Sequence, residues 1–346
     1  MMSKHSAPTL PTTMKALELS SYDGLDALKL TEKPVPSPTL GQVLVRVEAS
    51  AVNPSDLEFM HGRYGFRRPL PTTAGFEASG VVVAGNGAQA ERLMGQRVAC
   101  VVQSKGEGTW AEYVAVDAKV CLPLQPAVDF EQGAMLFINP FTAWGLVEQA
   151  QNGQHLALVQ TGAAGAVGKM VQRLATSAGL PLINIVRRDE QVTSLRKGGA
   201  EHVLNSEAED FDAQLKQLCG DLNATMALDA VGGELSGRLL AAMPEHSTVL
   251  VYGVLGGKSL TVSPYDLVFR DGHVSGFYLT TYRSNLSKAE LQQRTDQIQQ
   301  RMATDLHTEV SARAGLEDAL QAIKHYQDHA SNGKIIITPN KHSQAH

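Results

Sequence analysis

The segment 156–189 constrains the fold of this chain more than any other part of the sequence. It contains two short apolar runs, at 156–159 and 182–186. Such runs are typical of parallel strands that are buried on both faces. Between them lie a turn and a helical stretch with its apolar residues on one face. The turn contains three glycines spaced three residues apart: Gly162, Gly165 and Gly168. This order of strand, glycine turn, helix and strand predicts a βαβ unit of a parallel sheet that binds a nucleotide.

The chemistry of this unit suits a dinucleotide. Glycine lets the backbone approach a pyrophosphate, and the N-terminus of the following helix offers free N–H groups and a positive dipole end. At the tip of the second strand, an acid would accept the ribose 2′-hydroxyl group, whereas arginine pairs with a 2′-phosphate. Arg187 and Arg188 stand there, and no acid precedes Asp189. These residues predict NADPH as the cofactor, although a solvated loop is an alternative explanation of the two arginines.

Composition excludes several classes of protein. A chain of 346 residues is long enough for two domains, each with its own core. The net charge of −5 offers no basic surface of the kind that nucleic acid needs. No run approaches the ~18 apolar residues of a membrane helix. The polar N-terminal segment lacks the apolar core of a signal peptide, so we expect a cytoplasmic protein. Taken with the charge and the apolar runs, we expect it to act on a small molecule and to bind neither nucleic acid nor membrane.

The three cysteines, Cys100, Cys121 and Cys219, are scattered in apolar contexts. An odd number without short spacing argues against a disulfide framework and against a zinc cluster. We expect each cysteine to be buried as a small hydrophobic residue.

The hydrophobic pattern changes at about Gln132. Before it, short alternating runs separated by proline and glycine predict an antiparallel, barrel-like β domain. These runs are 15–19, 43–49, 80–84, 97–102 and 113–116. After it, strands and helices alternate, which predicts a parallel sheet with right-handed crossovers. Its further strands are expected at 202–205, 226–232, 247–253 and 273–279.

The end of the chain contains two helical stretches and a strand at 334–338, which most simply rejoins the first domain. The first domain is therefore predicted to be discontinuous. The expected organisation is a disordered tail at 1–13, a β domain formed by 14–133 and 280–346, and a cofactor domain at 134–279.

Motifs along almost the whole chain resemble the medium-chain dehydrogenase/reductase superfamily. They occur in the family order: AVNPSDLEFMHGRYG (51–65), FINPFTAWGLV (137–147), QTGAAGAVG (160–168), GGAEHVLN (198–205), LDAVGG (228–233) and VYG (251–253). Within the superfamily the chain resembles the zinc-independent quinone oxidoreductases and 2-enoyl thioester reductases, and more closely the latter. The resemblance implies a GroES-like antiparallel β-barrel catalytic domain, a Rossmann-type doubly wound cofactor domain, and a homodimer formed through the edge strands of the two cofactor sheets.

The resemblance also implies that no metal is bound. Zinc-dependent relatives place a cysteine where this chain has 53–56 and a histidine where it has Phe76, and they carry four further closely spaced cysteines. A Zn²⁺ site needs three or four N, S or O ligands, and only Asp56 and Glu77 remain here. We interpret Glu77 as structural. The chemistry left is hydride transfer from a nicotinamide to an activated double bond or a quinone.

Two positions are carried over as catalytic. In the enoyl reductases the proton donor is attributed to a tyrosine, which falls on Tyr64, and a phenol can protonate an enolate or stabilise an oxyanion. The alternative is that Tyr64 merely packs in its loop. Asn53 would orient Tyr64 or the substrate, although an Asn before proline is also an ordinary turn residue. This loop also contains three arginines: Arg63, Arg67 and Arg68. They are either solvated loop charges or residues that attract an anionic group of the substrate, such as a CoA phosphate.

The remaining carried-over positions would contact the cofactor. They are Asn139 and Thr142 at the nicotinamide end, Ala164, Gly165, Ala166 and Val167 at the pyrophosphate, Arg187 and Arg188 at the 2′-phosphate, Tyr252 and Gly253 beside the riboses, Phe277 and Leu279 flanking the carboxamide, and Lys334 near the closing strand. For Tyr252, Phe277 and Leu279 a place in the core is an alternative. The implied function is an NADPH-dependent, zinc-independent reductase of 2-enoyl thioesters or related α,β-unsaturated carbonyl compounds. The alternatives are a quinone oxidoreductase proper and an NADPH-binding protein of low turnover.

Overall fold

A computed structural model describes residues 10–257, 259–329 and 333–340. The chain divides into two compact units, of which the first comprises Met1–Ile138 and Thr308–His346 and the second comprises Asn139–His307. Within the described ranges, no helix is long and apolar enough to cross a membrane.

The strands of the described residues, in chain order, are β1 (Thr13–Leu19), β2 (Leu28–Pro34), β3 (Gln42–Ala51), β4 (Thr72–Thr73), β5 (Glu77–Gly85), β6 (Arg97–Val101), β7 (Tyr113–Asp117), β8 (Cys121–Pro123), β9 (Ala157–Gln160), β10 (Leu182–Val186), β11 (His202–Asn205), β12 (Ala224–Asp229), β13 (Thr248–Val251), β14 (His273–Gly276), β15 (Val310–Ala314) and β16 (Lys334–Ile337). The helices are α1 (Pro54–Met60), α2 (Ala88–Glu91), α3 (Phe130–Gly133), α4 (Asn139–Asn152), α5 (Ala166–Ser177), α6 (Asp189–Lys197), α7 (Phe211–Leu222), α8 (Glu234–Ala242), α9 (Pro264–Val268), α10 (Leu279–Ser284), α11 (Lys288–Arg301) and α12 (Ala319–His329).

The first unit contains two sheets, which confirms the predicted β domain. One has the order β2-β1-β4, and the other has the order β15-β16-β3-β5-β6-β8, with β7 also pairing with β3. The pairs are antiparallel except β15–β16, which is parallel. Alternate residues of β3, such as Val43, Val45 and Val47, point into one apolar core, as the period of two in its sequence requires. Strand β16 pairs with β3, as predicted for the closing strand.

The second unit contains one parallel sheet with the order β11-β10-β9-β12-β13-β14. In chain order this is the 3-2-1-4-5-6 arrangement of the doubly wound dinucleotide-binding fold, and it confirms the predicted cofactor domain. Strands β9 and β10 are buried along their whole length. Helix α5 buries the apolar face that its sequence predicts, with Met170, Val171, Leu174 and Ala175 in the core.

The unit boundaries differ from those that the sequence predicts. Residues 134–138 lie in the first unit, and residues 280–307 lie in the second. The second difference arises because α10 and α11 pack against α4: the Tyr282 hydroxyl donates to Glu148 at 2.7 Å, and Arg294 forms an ion pair with Glu148 at 3.0 Å. Of the predicted tail, residues 1–9 lie outside the described part of the chain.

Candidate active site

The glycine turn after β9 requires two of its glycines for different reasons. Gly162 has a backbone φ of +62°, in the left-handed region that other residues rarely adopt. Gly168 lies in the first turn of α5, where a Cβ atom would come within 2.6 Å of the carbonyl oxygen of Ala163. The turn therefore brings α5 directly against the end of β9.

The first turn of α5 fits a pyrophosphate. Gly165 is the N-cap residue, and Ala166, Val167 and Gly168 follow it in the first turn, where the helix offers their N–H groups no acceptor. Such a helix end binds anions because the N–H groups point at the ligand and the helix dipole favours negative charge. Ala164, the remaining predicted contact, is buried in the turn just before.

Asp229, at the end of β12, organises the loop beside this turn, a role that was not predicted from the sequence. Its buried carboxylate accepts hydrogen bonds from Thr161 Oγ1 (2.7 Å), Ser236 Oγ (2.6 Å) and the N–H groups of Val231 (2.9 Å) and Gly232 (3.2 Å). Because Thr161 immediately precedes Gly162, the carboxylate ties the β12 loop to the glycine turn. The sequence pattern that could have revealed Asp229 is an acid at the end of an apolar strand, followed closely by two glycines, Gly232 and Gly233.

The end of β13 lies beside the end of β12. The N–H groups of Tyr252 and Gly253 both donate to the carbonyl oxygen of Asp229, at 2.8 and 3.4 Å. Ligands of open parallel sheets bind outside the carboxyl ends of the strands. Tyr252 and Gly253 therefore stand at the same sheet edge as the glycine turn, where the sequence placed them. Burial raises the pKa of the Tyr252 hydroxyl above its ordinary value.

Arg187 and Arg188 are exposed at the end of β10, and Arg188 is the N-cap residue of α6. The first acid after them, Asp189, accepts a hydrogen bond from Asn205 Nδ2 at 2.8 Å. This placement suits the predicted recognition of a 2′-phosphate, because two cations stand at the strand tip and the neighbouring carboxylate has its own partner.

The start of α4 carries Asn139 and Thr142, both buried. Asn139 Nδ2 is a buried donor without a hydrogen-bond partner among the described residues. Buried polar groups are normally hydrogen-bonded, so an unpaired amide fits the prediction that a polar group of a cofactor is bound here.

Phe277 occupies the core position that was the alternative to a cofactor contact. Its side chain is buried, and its ring lies 5.5 Å from that of Tyr282. A Cβ atom at Gly145 of α4 would come within 2.8 Å of the Phe277 ring, which shows how tightly the two elements pack. This packing matches the core alternative for Phe277, and its contact with a carboxamide stays a prediction. Leu279 is half-buried at the start of α10.

In the first unit, Tyr64 belongs to a group of rings, here called the aromatic cluster: Tyr22, Phe59, Tyr64, Phe66 and Phe76. The Tyr64 ring lies 5.1 Å from both Phe66 and Phe76, edge-on to the first and tilted to the second. Ring pairs at this spacing are favourable and directional. These ring contacts fix the orientation of the Tyr64 ring. The residue is half-buried, so part of it stays exposed.

Arg68 supports the aromatic cluster from inside the unit. Its guanidinium lies 4.9 Å from the centre of the Phe59 ring and 5.3 Å from that of Phe76. It donates to three backbone carbonyls, those of Thr73 (3.2 Å), Val102 (3.1 Å) and Gln103 (2.7 Å). Burial lowers the Arg68 pKa to about 10, which leaves it charged at neutral pH.

The other two arginines of this loop lie nearer the surface. Arg63 forms an ion pair with Glu58 at 2.8 Å. Arg67 donates to the carbonyl oxygen of Gly62 and stacks over the Tyr22 ring at 5.0 Å. Neither sequence interpretation describes Arg68, which is neither a solvated charge nor a contact for an anionic handle, because its donors bind the protein's own backbone.

Asn53 is completely buried, which corrects its assignment as a catalytic residue. Its Nδ2 donates to Glu77 Oε1 at 2.7 Å, its Oδ1 accepts from the Lys334 ammonium, and its backbone N–H donates to Asp56 Oδ2 at 2.8 Å. Asn53 also forms the N-cap of α1 in a capping box with Asp56. Its amide is therefore occupied in the interior rather than oriented toward a substrate.

Lys334 is corrected in the same way. Only 2% of it is exposed, and its ammonium donates to the carbonyl oxygen of Val52, to Asn53 Oδ1 and to the Tyr326 hydroxyl. All three N–H donors of a lysine are used by these contacts, which leaves none for a cofactor.

Glu77 is structural, as the sequence suggested. Besides Asn53, its carboxylate accepts from the N–H groups of Phe137 and Ile138, at 3.0 and 3.1 Å. Burial raises the pKa of Glu77 to about 7, and burial also raises that of Asp56 to about 7. The Lys334 ammonium lowers both pKa values and the Arg68 guanidinium lowers that of Asp56, but burial has the larger effect on each carboxyl group.

Among the described residues, no three His, Cys, Asp or Glu side chains are grouped so that they could hold a metal ion. Phe76, at the position of a zinc ligand in zinc-dependent relatives, is buried in the aromatic cluster. The three cysteines are buried with free thiols, as predicted for their burial.

Comparison with known proteins gives consistent matches. Residues 39–126 match the family model described as an alcohol dehydrogenase GroES-like domain, and residues 166–300 match the one described as a zinc-binding dehydrogenase. The mitochondrial enoyl-[acyl-carrier-protein] reductase of Caenorhabditis elegans is 31% identical over 265 residues, which cover 73% of this chain and 74% of that protein. Prostaglandin reductase-3 of Mus musculus is 29% identical over 348 residues, which cover 95% and 90%.

A solved structure also matches nearly the whole chain. It is that of a candidate NADPH:quinone reductase from Mesorhizobium loti, with 33% identity and a TM-score of 0.88. The match covers 96% of this chain and all of that one.

Proposed function

We infer the reaction from one premise: this chain belongs to the medium-chain dehydrogenase/reductase superfamily and is an NAD(P)H-dependent oxidoreductase. We propose that it uses NADPH to reduce an activated carbon–carbon double bond, as in a 2-enoyl thioester or a related α,β-unsaturated carbonyl compound. The observation that carries this proposal is the placement of Tyr64, a half-buried phenol whose ring is held by Phe66 and Phe76.

The cofactor preference rests on residues of the second unit. The first turn of α5 would hold the pyrophosphate, and Arg187 and Arg188 would pair with the 2′-phosphate. An NADH-specific site would need an acceptor for the ribose 2′-hydroxyl group at the tip of β10. Asp189 is the first acid available, and its carboxylate already binds Asn205.

The chemistry that NADPH supplies when bound is a hydride for the β-carbon of the substrate. A proton must then be added at the α-carbon, and we assign this step to the Tyr64 hydroxyl. A phenol keeps its proton at neutral pH, so it is a donor in its ordinary state. The rings around Tyr64 hold its side chain in one orientation, and a positioned acid typically contributes ~10²- to 10⁴-fold to the rate.

Reduction of a quinone, the alternative reaction, differs in how the product is protonated. A reduced quinone is a well-stabilised anion that takes its proton from water and needs no positioned acid. The name of the Mesorhizobium protein supports this alternative, whereas the names of the nematode and mouse relatives support reduction of a double bond. The protein is proposed to act without a metal in either case, since the ligand positions of zinc-dependent relatives hold Phe76 and the segment 53–56, which contains no cysteine.

We also propose that the protein is a homodimer paired through β14. In the described residues this strand pairs with β13 alone, so one edge is open. The N–H groups of His273 and Phe277 donate to the carbonyl oxygens of Ser247 and Val251, on the β13 side. Because strands have a period of two, the N–H groups of Val274 and Gly276 point to the open edge. Val274→Pro removes one of these outward donors. The molar mass in solution should change from that of a dimer to that of a monomer, and a monomeric wild type would refute the proposal.

A small panel of acceptors tests the reaction. NADPH oxidation is followed with 2-hexenoyl-CoA, 2-hexenal and 1,4-benzoquinone under matched conditions. We expect the highest kcat/KM with an enoyl substrate. Turnover of the quinone alone would support the alternative, and NADPH binding without turnover of any acceptor would indicate a binding protein.

A further inference from the structure

Two of the three cysteines face each other across neighbouring strands. Strands β6 and β8 are antiparallel, and Cys100 lies directly opposite Cys121 in their register. Directly opposite residues of an antiparallel pair project from the same face, with Cβ atoms about 4.5–5.5 Å apart. Both side chains belong to one buried core cluster. A disulfide bond requires Cβ atoms about 3.5–4.5 Å apart, a range that adjoins the spacing of directly opposite residues.

The surroundings of the two thiols raise the pKa of both. Burial raises the pKa of Cys121 above its ordinary value, and the nearby Cys100 raises it further. Burial raises the pKa of Cys100 to about 12. Both groups are therefore protonated thiols at neutral pH, so they react slowly there and faster at alkaline pH.

We propose that Cys100 and Cys121 form an oxidation site that a small peroxide converts into a cross-strand disulfide. The position of β8 gives the oxidant a route, because β8 is the last strand of its sheet among the described residues. Cys121 is 5% exposed, whereas Cys100 is completely buried. Access from the β8 edge suits a molecule as small as hydrogen peroxide and excludes a large disulfide reagent.

The conversion balances with one peroxide per pair. One thiol, as its thiolate, attacks a peroxide oxygen, the O–O bond breaks, and a sulfenic acid and one water form. The second thiol then attacks the sulfenic sulfur, the S–O bond breaks, and the disulfide and a second water form. Sulfur is oxidised by two electrons in total and the peroxide is reduced by two. Because the thiolate is the reactive form, the rate should rise about tenfold per pH unit below the thiol pKa.

The bond would close a loop that supports the aromatic cluster. The segment between the two cysteines contains Val102 and Gln103, whose carbonyl groups bind Arg68. It also contains Trp110, completely buried, whose indole N–H donates to Ala51 at 3.1 Å. A crosslink would therefore restrain the backbone segment whose carbonyl groups bind Arg68, and through Arg68 the aromatic cluster.

Peptide mapping of the wild-type protein tests the proposal directly. The reduced, folded protein is treated with hydrogen peroxide at mildly alkaline pH, remaining thiols are alkylated in denaturant, and tryptic peptides are identified by mass. Cleavage after Arg97, Lys105 and Lys119 places the two cysteines on separate peptides. We expect a linked Cys100–Cys121 pair that dithiothreitol separates, with Cys219 still alkylated.

Cys219 provides the matched control, since it is equally buried but belongs to the second unit. Cys219→Ser should form the linked pair as the wild type does, whereas Cys100→Ser and Cys121→Ser should each abolish it. The proposal is overturned if Cys100 and Cys121 of the wild type reach only sulfinic or sulfonic acids. Links that involve Cys219, or that join two chains, would overturn it as well.

Discussion

The carboxylate of Asp189 accepts a hydrogen bond of 2.8 Å from the side-chain amide of Asn205, at the end of the neighbouring strand. This contact turns the first acid after β10 toward β11. Arg187 and Arg188, both exposed, are left at the tip of β10. Two cationic side chains therefore stand where the proposed NADPH would place its 2′-phosphate.

The double variant Arg187→Ala, Arg188→Ala should lose its preference for NADPH. A charge-assisted hydrogen bond to a phosphate is worth about 1.5–3 kcal/mol, which corresponds to ~10- to 100-fold in KM for each arginine engaged. The KM for NADH should change little, because NADH has no 2′-phosphate. Steady-state kinetics with both cofactors checks this, with Arg92→Ala, an exposed arginine of the first unit, as the control. Equal use of NADH and NADPH by the wild type would contradict the assignment.

Tyr64→Phe should separate the two proposed reactions. The variant keeps the ring contacts with Phe66 and Phe76 and removes only the hydroxyl group. The kcat for an enoyl-CoA substrate should fall by ~10²- to 10⁴-fold, while the KM for NADPH and the rate with benzoquinone stay nearly unchanged.

Tyr22→Phe is the matched control for this prediction. It removes a phenol of the same aromatic cluster, whose hydroxyl group contacts the backbone of Arg68 at 2.7 Å. We expect a modest loss of thermal stability and little change in kcat. Full activity of Tyr64→Phe on an enoyl substrate would exclude the tyrosine as the proton donor.

The sequence predicted what depends on local pattern and missed what depends on distant partners. The strands, the glycine turn and the arginine tip are encoded within a few residues of one another, and the structure places them as expected. Asn53 and Lys334 were misassigned because Glu77 and Val52, which bind them in the interior, lie far along the chain, and the contacts of Arg68 with Val102 and Gln103 were missed for the same reason. Lys334 binds Asn53 only because β16 returns to pair with β3. Cys100 and Cys121 likewise lie opposite each other because of the register of β6 and β8, which their spacing in the sequence does not reveal.

The stability of the protein should fall as the pH rises toward neutrality. Burial raises the folded-state pKa of Glu77 from 4.5 to about 7, so the folded protein binds more protons than the unfolded chain in this window. The contribution of Glu77 is complete below about pH 4.5 and is lost as the pH rises through about 7. Asp56 acts in the same direction.

Glu77→Gln should flatten this dependence of Tm on pH, because an amide does not titrate. It should also lower stability by about 1–3 kcal/mol, since its NH₂ group would face Asn53 Nδ2. Thermal unfolding between roughly pH 5 and 8 measures both effects. Glu91→Gln, at an exposed position, should leave the profile unchanged. An equal slope in Glu77→Gln and wild type would show that Glu77 does not titrate in this range.

Arg68→Lys should destabilise the protein although it conserves the charge. A lysine lacks the planar fork that reaches the carbonyl groups of Thr73, Val102 and Gln103, and an unsatisfied buried acceptor costs about 1–3 kcal/mol. Denaturant unfolding measures the loss. Arg63→Lys, in a partly exposed ion pair with Glu58, should cost less than about 1 kcal/mol. Equal effects of the two substitutions would show that the buried contacts of Arg68 contribute nothing specific.

Gly168→Ala should impair both folding and cofactor binding. The added Cβ would lie 2.6 Å from the carbonyl oxygen of Ala163 and 2.7 Å from that of Gly162, and these backbone atoms cannot move without displacing the turn. We expect a loss of several °C in Tm and a higher Kd for NADPH, measured by fluorescence titration. Gly220→Ala is the matched control, since a Cβ on that helical glycine of α7 meets nothing within 4 Å. It should raise stability by about 0.5–1 kcal/mol, because alanine is the better helix former, and should leave NADPH binding unchanged. If Gly168→Ala binds NADPH as tightly as Gly220→Ala does, the close approach of α5 to the turn is not needed to form the site.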